Sequence, residues 1–427
     1  MNRKSILKAL FCSLVQILWC SSLMAVNEKP FVIPELKQWT GGEGVFVPTS
    51  ATKIVVDATA KEYYKVAEAL KEDYKVMFGD ELQVVEGGKP SNGDIVFKLG
   101  GKKDDNESYT LNISKQITVS ASTKEGAYWA TRTLLQMFDT DSEKHSIPCG
   151  VTYDKPDFRM RGFMLDVGRL FFSMDYLRNL VKMMAYYKMN ALQLHLNDNL
   201  VMKDLSYYKR LDKSKKANIG DNANDSELST GLSGEWKDMY AAFRLECETY
   251  PGLTARDGYY TKDEFRELQK MAADCGVEII PEIDMPGHSK AIVSVYPWAG
   301  CTNPSEFVSV NGETKNILCV SNDKVYTLID DIIGELAELF PGKYIHIGGD
   351  EVQFKNWEEC PHCQAFMKKN GWNEERELQR YFVRKMDEIV SAHGKIMCGW
   401  SEIADMDLKN NKGKSEYEIK RTFSDQT

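Results

Sequence analysis

The chain has 427 residues, 43% of them hydrophobic, with 63 acidic against 54 basic side chains and a formal net charge of −9. At roughly 100 to 250 residues per domain this is room for two domains and a large core, in a composition ordinary for a soluble globular protein. The charges are spread along the chain without long single-sign blocks, which argues against nucleic acid as a partner.

Arg3, Lys4 and Lys8 precede the apolar run "ALFCSLVQILWC" and small residues ending at Ala25. That is the pattern of a signal peptide over residues 1–25, so the mature chain is expected to begin near Val26 and to be exported, periplasmic or secreted. Lipid anchoring at Cys20 is not expected, because Trp19 stands where such signals want a small residue. No later segment reaches 18 uninterrupted apolar residues, so no spanning helix is expected.

Of ten cysteines, Cys12 and Cys20 fall in that leader, and the eight that remain are too sparse for a fold that depends on disulfides. Cys360-Pro361-His362-Cys363 has the spacing of half a metal site. With no second half at zinc spacing elsewhere, it reads as a loop turn or a local disulfide.

Residues 27–150 mix short strand runs, "KIVVDA", "DIVFKLG", "SYTLNIS" and "QITVSAS", with two helix-like stretches, "KEYYKVAEALKEDYKVMFG" and "KEGAYWATRTLLQMF". This predicts a small two-layer α/β domain. It holds no paired acids or histidine cluster and reads as a packing or positioning module.

From about residue 155 to 427 the rhythm is strand then helix. "FMLDV" precedes "SMDYLRNLVKMMAYYK", whose Leu177, Leu180, Val181 and Met184 fall at helical spacing, and "ALQLHL" follows. "TKDEFRELQKMAADC" leads into "GVEIIPEIDM", "KVYTLIDDIIGELAELF" into "KYIHIGGDE", and "ELQRYFVRKMDEIVSA" into "GKIMCGW". Five such units predict a parallel sheet, most simply a TIM-type (β/α)8 barrel, whose chemistry sits where strands end.

Those ends carry Asp166 with Arg169; His195 with Asp198 and Asn199; Glu282, Asp284 and His288; Asp350 with Glu351; and Trp400 with Glu402. Taken singly, Arg169 also fits an ion pair with a neighbouring acid, His288 a satisfied turn histidine and Trp400 core packing. Asp350 and Glu351 have fewer innocent readings. Neighbours on a regular strand face opposite ways, so both enter one site only if the backbone turns, which Gly348 and Gly349 permit. Adjacent carboxylates also repel, which tends to raise one pKa toward that of a general acid. Paired acids, an aromatic and an arginine at a barrel mouth point to glycoside cleavage. The two-carboxylate scheme places its acids about 5 Å or more apart across the bond, which adjacent residues suit poorly. Substrate assistance suits them better: the sugar's acetamide attacks, one acid protonates the leaving oxygen, and its neighbour steadies the acetamide.

"RGFMLDVGRLFF", "YYKMNALQLHLNDN", "PEIDMPGHSKA", "IHIGGDEVQF" and "CGWSE" resemble, in order, the motifs of glycoside hydrolase family 20, the β-N-acetylhexosaminidases and lacto-N-biosidases. The resemblance covers roughly residues 158 to 403, and residues 27 to 150 look like that family's accessory domain. It implies Glu351 as acid/base, Asp350 as the acetamide's partner, Arg169 as a ligand of sugar hydroxyls, Asp198 and His288 as a relay toward the acid/base, and Trp400 as a wall of the acetamide pocket. It implies no metal and no organic cofactor. The expected activity is removal of terminal β-linked GlcNAc or GalNAc from a glycan, with retention through an oxazolinium intermediate.

Two departures from the family pattern set further expectations. Where common hexosaminidases read "HWHLxDD", this strand reads "LQLHLNDN", closer to the lacto-N-biosidase branch, so Gln193 and Asn199 are expected to reach a second sugar. The polar loop from about Ser206 to Gly258 either closes over the site or is a solvated insertion. Past Trp400 the family would supply three more strands, two more pocket tryptophans and a tyrosine, whereas "SEIADMDLKNNKGKSEYEIKRTFSDQT" has no Trp and one Tyr. The expectation is a truncated barrel of about five βα units with an open edge, and the alternative to a hydrolase is a non-catalytic sugar-binding fragment.

Overall fold

A computed structural model describes residues 26–101, 106–198, 243–255, 258–301 and 317–403. The leader at 1–25, Asn199, most of the 206–258 loop and the final residues 404–427 lie outside the described residues. The chain divides into two compact units, with the division between Asp157 and Phe158.

The first unit is one mixed sheet with two helices. In chain order it comprises β1 (Thr40–Phe46), β2 (Lys53–Val56), α1 (Tyr64–Phe78), β3 (Gln83–Glu86), β4 (Ile95–Leu99), β5 (Tyr109–Ile113), β6 (Ile117–Ala121), α2 (Lys124–Asp139) and β7 (Ile147–Asp154). The strand order is β1-β7-β5-β6-β4-β2-β3. Alternation in β5 and β6 buries Leu111, Ile113, Ile117 and Val119, while α2 is buried along almost its whole length, so this helix is the centre of the unit's core. Three strands are not apparent from the sequence pattern. β1 holds three glycines and breaks register between Gly41 and Val45, and β3 is only four residues long. β7 runs to Asp154, past the expected boundary at 150, because it pairs with both β1 and β5 and so belongs to this sheet.

The second unit runs β8 (Gly162–Asp166), α3 (Met174–Tyr186), β9 (Ala191–His195), α4 (Lys262–Asp274), β10 (Glu278–Glu282), α5 (Lys290–Val295), α6 (Asp323–Leu339), β11 (Tyr344–His346), α7 (Lys355–Glu359), α8 (Pro361–Asn370), α9 (Arg376–Ala392) and β12 (Ile396–Cys398). Its five strands are all parallel and lie in sequence order, β8 to β12, as neighbouring staves of a barrel do. Both faces need cover, and α6 supplies an apolar stripe of Val325, Leu328, Ile329, Ile332, Ile333, Leu336 and Leu339. Helix starts are written locally: Ser173 caps α3, and Thr261 with Glu264 forms a capping box on α4. Among the described residues no helix is long and apolar enough to cross a membrane.

Register is what builds the site. Asp166 pairs with His195, His195 with Glu282, and Glu282 with His346, so four strands end level with one another. Residues opposite one another in a ladder share a face, so this row of polar side chains points the same way.

One expectation changes within the long loop. Its described end is not a solvated insertion: Phe243, Leu245, Cys247 and Leu253 are buried, and Phe243 bridges to Asn197 and Thr254. Arg244, 1% exposed, donates from Nε to the carbonyls of Val167 and Gly168 and from Nη1 to that of Gly258. A buried guanidinium satisfied by carbonyls fastens this segment to the turn that carries Arg169.

Candidate active site

After β11 the chain turns sharply. Gly348 and Gly349 have φ of +68° and +95°, and Glu351, with a side chain, has φ of +45°. The left-handed region suits glycine, and a Cβ on Gly348 would lie 1.8 Å from Asp284 Oδ1. The same carboxylate oxygen accepts the Gly349 N–H at 3.0 Å, so the turn is wrapped around Asp284. This is the backbone rotation that lets two adjacent acids serve one site. Asp350 goes inward: its Oδ1 is buried and has no hydrogen-bond partner among the described residues. Glu351 is mostly open, its side chain 67% exposed.

Facing this turn is the loop after β10. His288, also at positive φ (46°), places Nε2 3.5 Å from Glu351 Oε2 and 4.0 Å from Asp350 Oδ2. Its Nδ1 donates to Asp198 Oδ1 at 3.0 Å. Non-glycine residues in the left-handed region cost of order 1–3 kcal/mol each and persist where surrounding structure imposes them. Here the two such residues face each other across the carboxylates.

Asp198 is the hub. It is 1% exposed, accepts from His288 and His195, and pairs with Arg169 Nη1 at 2.7 Å. Burial alone would push its carboxyl up, but hydrogen bonds from His195 and His288 pull it down to about 2. Burial likewise opposes a charge on His288, yet the bond to Asp198 and the charges of Asp198, Asp284 and Asp350 raise it to about 9. His288 is therefore a cation at neutral pH, set between a buried carboxylate and the paired acids.

A second group lies along the strand ends. Glu282, 0% exposed, accepts from Gln193 Nε2 at 2.6 Å and from Trp400 Nε1 at 3.0 Å, and His195 Nδ1 lies 3.1 Å away. Burial opposes its charge, but the neighbouring His195 and His346 imidazoles hold it well below the usual carboxylate range. His195, between Glu282 and Asp198, overcomes its own burial through its bond to Asp198 and the adjacent Glu282 carboxylate and reaches about 11. Asp284 goes the other way: burial, then the charges of Asp350 and Glu282, push its carboxyl upward inside the turn.

The expected residues that fall within the described range then have places. Arg169 is held by both Asp166, at 2.7 Å, and Asp198, and its Nη2 lies 3.4 Å from His288 Nδ1. Trp400 packs edge-on against His346, with ring centroids 5.0 Å apart, over Glu282. Gln193 commits its amide nitrogen to Glu282, because side chains alternate along β9 and this one faces the neighbouring strand's carboxylate. Asn199 lies outside the described residues. His346 and Asn197 have no prominence in the sequence. Asn197 is buried and ties the β9 end to the loop after β10, donating to Asp284 O at 3.1 Å and accepting from Asp284 N at 2.7 Å. His346 stands between Ile345 and Ile347, and Asn197 opens the polar "NDN" that ends an apolar strand run; neither leaves a stronger trace in the chain.

Three trios here, Asp166 with His195 and Asp198, His195 with Glu282 and Asp284, and Asp198 with Asp284 and His288, each bring donor atoms within 4.8 Å of one another. Their imidazoles are already engaged by Asp198 and Glu282, which accounts for the closeness without an ion. The cysteine motif differs from expectation. Cys360 and Cys363 do meet a second half, Cys301 and Cys319, contributed singly from a distant loop rather than as a second closely spaced pair.

A row of level strand ends carrying acids, an arginine, histidines and a tryptophan is where the chemistry of a parallel α/β barrel sits. The profile of glycosyl hydrolase family 20, catalytic domain, matches residues 158–420, and that of family 20, domain 2, matches residues 29–155. The chain belongs to glycosyl hydrolase family 20. It is 30% identical to a beta-hexosaminidase of Porphyromonas gingivalis over 92% of this chain and 49% of that protein. Against a beta-hexosaminidase of Akkermansia muciniphila it is 31% identical over 69% of this chain and 55% of that one. Among solved structures, a Vibrio harveyi exo beta-N-acetylglucosaminidase in complex with N-acetylglucosamine superposes with a TM-score of 0.68 at 27% identity, covering 92% of this chain and 56% of that one. A Flavobacterium johnsoniae chitobiase gives 0.68 at 28% identity, with coverages of 87% and 52%. The chain thus spans about half the length of the curated relatives it matches.

Proposed function

We propose that this chain carries the catalytic centre of an exported β-N-acetylhexosaminidase that removes terminal β-linked GlcNAc or GalNAc by substrate-assisted, retaining hydrolysis. The observation that carries the reading is the Gly348-Gly349 turn, which sends Asp350 inward with a buried, unpartnered Oδ1 and leaves Glu351 open beside His288. A buried acceptor without a partner costs roughly 1–3 kcal/mol, and a substrate N–H would relieve it.

In the first step Glu351, as a carboxylic acid, gives its proton to the glycosidic oxygen while the acetamide carbonyl oxygen attacks the anomeric carbon. The glycosidic bond breaks and an oxazolinium ring forms. Asp350 accepts the hydrogen bond of the acetamide N–H as that group becomes positive. In the second step water attacks the same carbon, the ring opens, and Glu351 takes up the water's proton. Two displacements at one carbon retain its configuration. The Asp198–His288 pair keeps a cation beside Glu351, which favours the carboxylate left after proton transfer. Arg169, fixed by Asp166 and Asp198, is placed to meet sugar hydroxyls, and Trp400 offers an aromatic wall. The relatives named beta-hexosaminidase support the same substrate class. Export rests on the leader pattern of residues 1–25.

The test is release of 4-nitrophenol from its β-GlcNAc, β-GalNAc and β-lacto-N-bioside derivatives by the 427-residue chain. The expected outcome is turnover of the monosaccharide substrates. Glu351→Gln should lower kcat by about 100- to 10,000-fold, and Asp350→Asn by about 100- to 1,000-fold. Release only from the lacto-N-bioside would replace the exo-hexosaminidase reading with a disaccharide-releasing one. Sugar binding without any turnover by a folded chain would leave a binding module instead.

A further inference from the structure

Away from the carboxylates, four cysteines converge. Cys360 sits at the corner between α7 and α8, and Cys363 lies in the first turn of α8. Cys301 and Cys319 come from the loop between α5 and α6, where Gly300 bridges antiparallel to Leu318 and the Cys319 N–H donates to Ala299 O at 2.8 Å. All four are buried, at 9%, 3%, 0% and 0% exposure for Cys301, Cys319, Cys360 and Cys363. Their sulfurs all lie within 4.8 Å of one another, with Cys301–Cys363 at 3.8 Å, Cys319–Cys363 at 3.7 Å and Cys319–Cys360 at 4.0 Å.

The geometry points to a structural zinc site with four thiolate ligands, Cys301, Cys319, Cys360 and Cys363. A tetrahedron with zinc–sulfur bonds of about 2.3 Å has sulfur–sulfur edges of about 3.8 Å, close to the separations found. A disulfide needs about 2.05 Å, and all four cysteines are free, so none of the three possible pairings is formed. A thiol is a weak donor and a weak acceptor, so four buried thiols gain little from one another. A soft divalent cation turns the same cluster into a closed, fully coordinated centre.

The surroundings suit that centre. Cys360 and Cys363 have the two-residue spacing common in zinc knuckles. Ser321 Oγ lies 3.3 Å from the Cys319 sulfur and 3.6 Å from that of Cys363. Hydrogen bonds of this kind to ligand sulfurs orient them and offset their charge. Trp357, fully buried, donates from Nε1 to Leu318 O at 3.0 Å and closes one side. His362 is exposed and is not a ligand. Binding converts four thiols to thiolates and releases their protons to solvent. All four positions are taken by protein, so the ion has no open site for catalysis. Its role is mechanical: it clamps the loop after β10 to the helical corner that follows Glu351, and so braces the turn carrying both acids.

The experiment is metal analysis of the purified full chain, then exchange of the metal for cobalt(II). The expected result is about one zinc per chain, and a cobalt form with sulfur-to-metal charge-transfer absorption and the intense red-region bands of tetrahedral cobalt. The Cys319→Ser/Cys363→Ser double variant should retain less than about a tenth of the metal. Cys149→Ser, in the N-terminal sheet, should retain it all. The cobalt spectrum of the unaltered chain decides the ligand set even if the double variant does not fold. Disulfides within the four on non-reducing peptide mapping, four free thiols that ignore added zinc and cobalt, or metal that persists in the double variant would each overturn the assignment.

Discussion

At the scale of single residues the site is an electrostatic sequence: Arg169, Asp198, His288, Glu351. Asp198 is the largest single influence that keeps the buried His288 protonated, raising it to about 9 against its burial. Replacing that carboxylate with an amide removes the main stabiliser of the cation while burial still disfavours it, so the His288 pKa must fall. We therefore expect Asp198→Asn to move the alkaline arm of the kcat/KM profile to lower pH and to reduce its height. An arm that stays where it was would show that His288 does not govern it. The identities of Asp350, Glu351, Asp198 and His288 are legible in the sequence, since each stands just past an apolar strand run. The charge states of Asp198 and His288 are not: His195 and Asp284, which help to set them, look like ordinary strand-end polar groups.

At the scale of elements, the turn after β11 is the part most sensitive to shape. A methyl group on Gly348 would collide with Asp284 at a backbone angle that L-residues rarely adopt. Gly348→Ala should cost about 1–3 kcal/mol of stability. It should also depress kcat more than KM is raised, because it displaces both acids. Denaturant unfolding together with initial rates checks both halves; unchanged stability would mean that the turn relaxes freely. Strand and helix runs of the barrel are readable from periodicity because each must bury an apolar stripe. The end of the long loop is not, because Arg244 and Asn197 act through backbone carbonyls and amides that leave no pattern in side-chain type.

At the scale of the molecule, the described residues supply five parallel staves. Of the two outer ones, β8 leaves Phe163 43% and Met164 40% exposed, unlike the buried Leu192 and Leu194 of β9. Among the described residues β8 pairs only with β9, and an apolar strand paired on one side is a template for association. The 427-residue chain is expected to show a mass that rises with concentration in sedimentation velocity, and Met164→Lys should reduce that rise. A concentration-independent monomer would mean that the edge is covered.

The sequence by itself determined the two units, the strand–helix rhythm, the paired acids and the need for a turn between them. These are local properties, written in periodicity, glycine placement and adjacency along the chain. Only the tertiary structure decided which way each acid faces, that buried carboxylates raise both His195 and His288, that Gln193 serves Glu282, and that four scattered cysteines meet. Those outcomes depend on register between strands and on burial, and both join residues far apart in the chain, where no local pattern reaches.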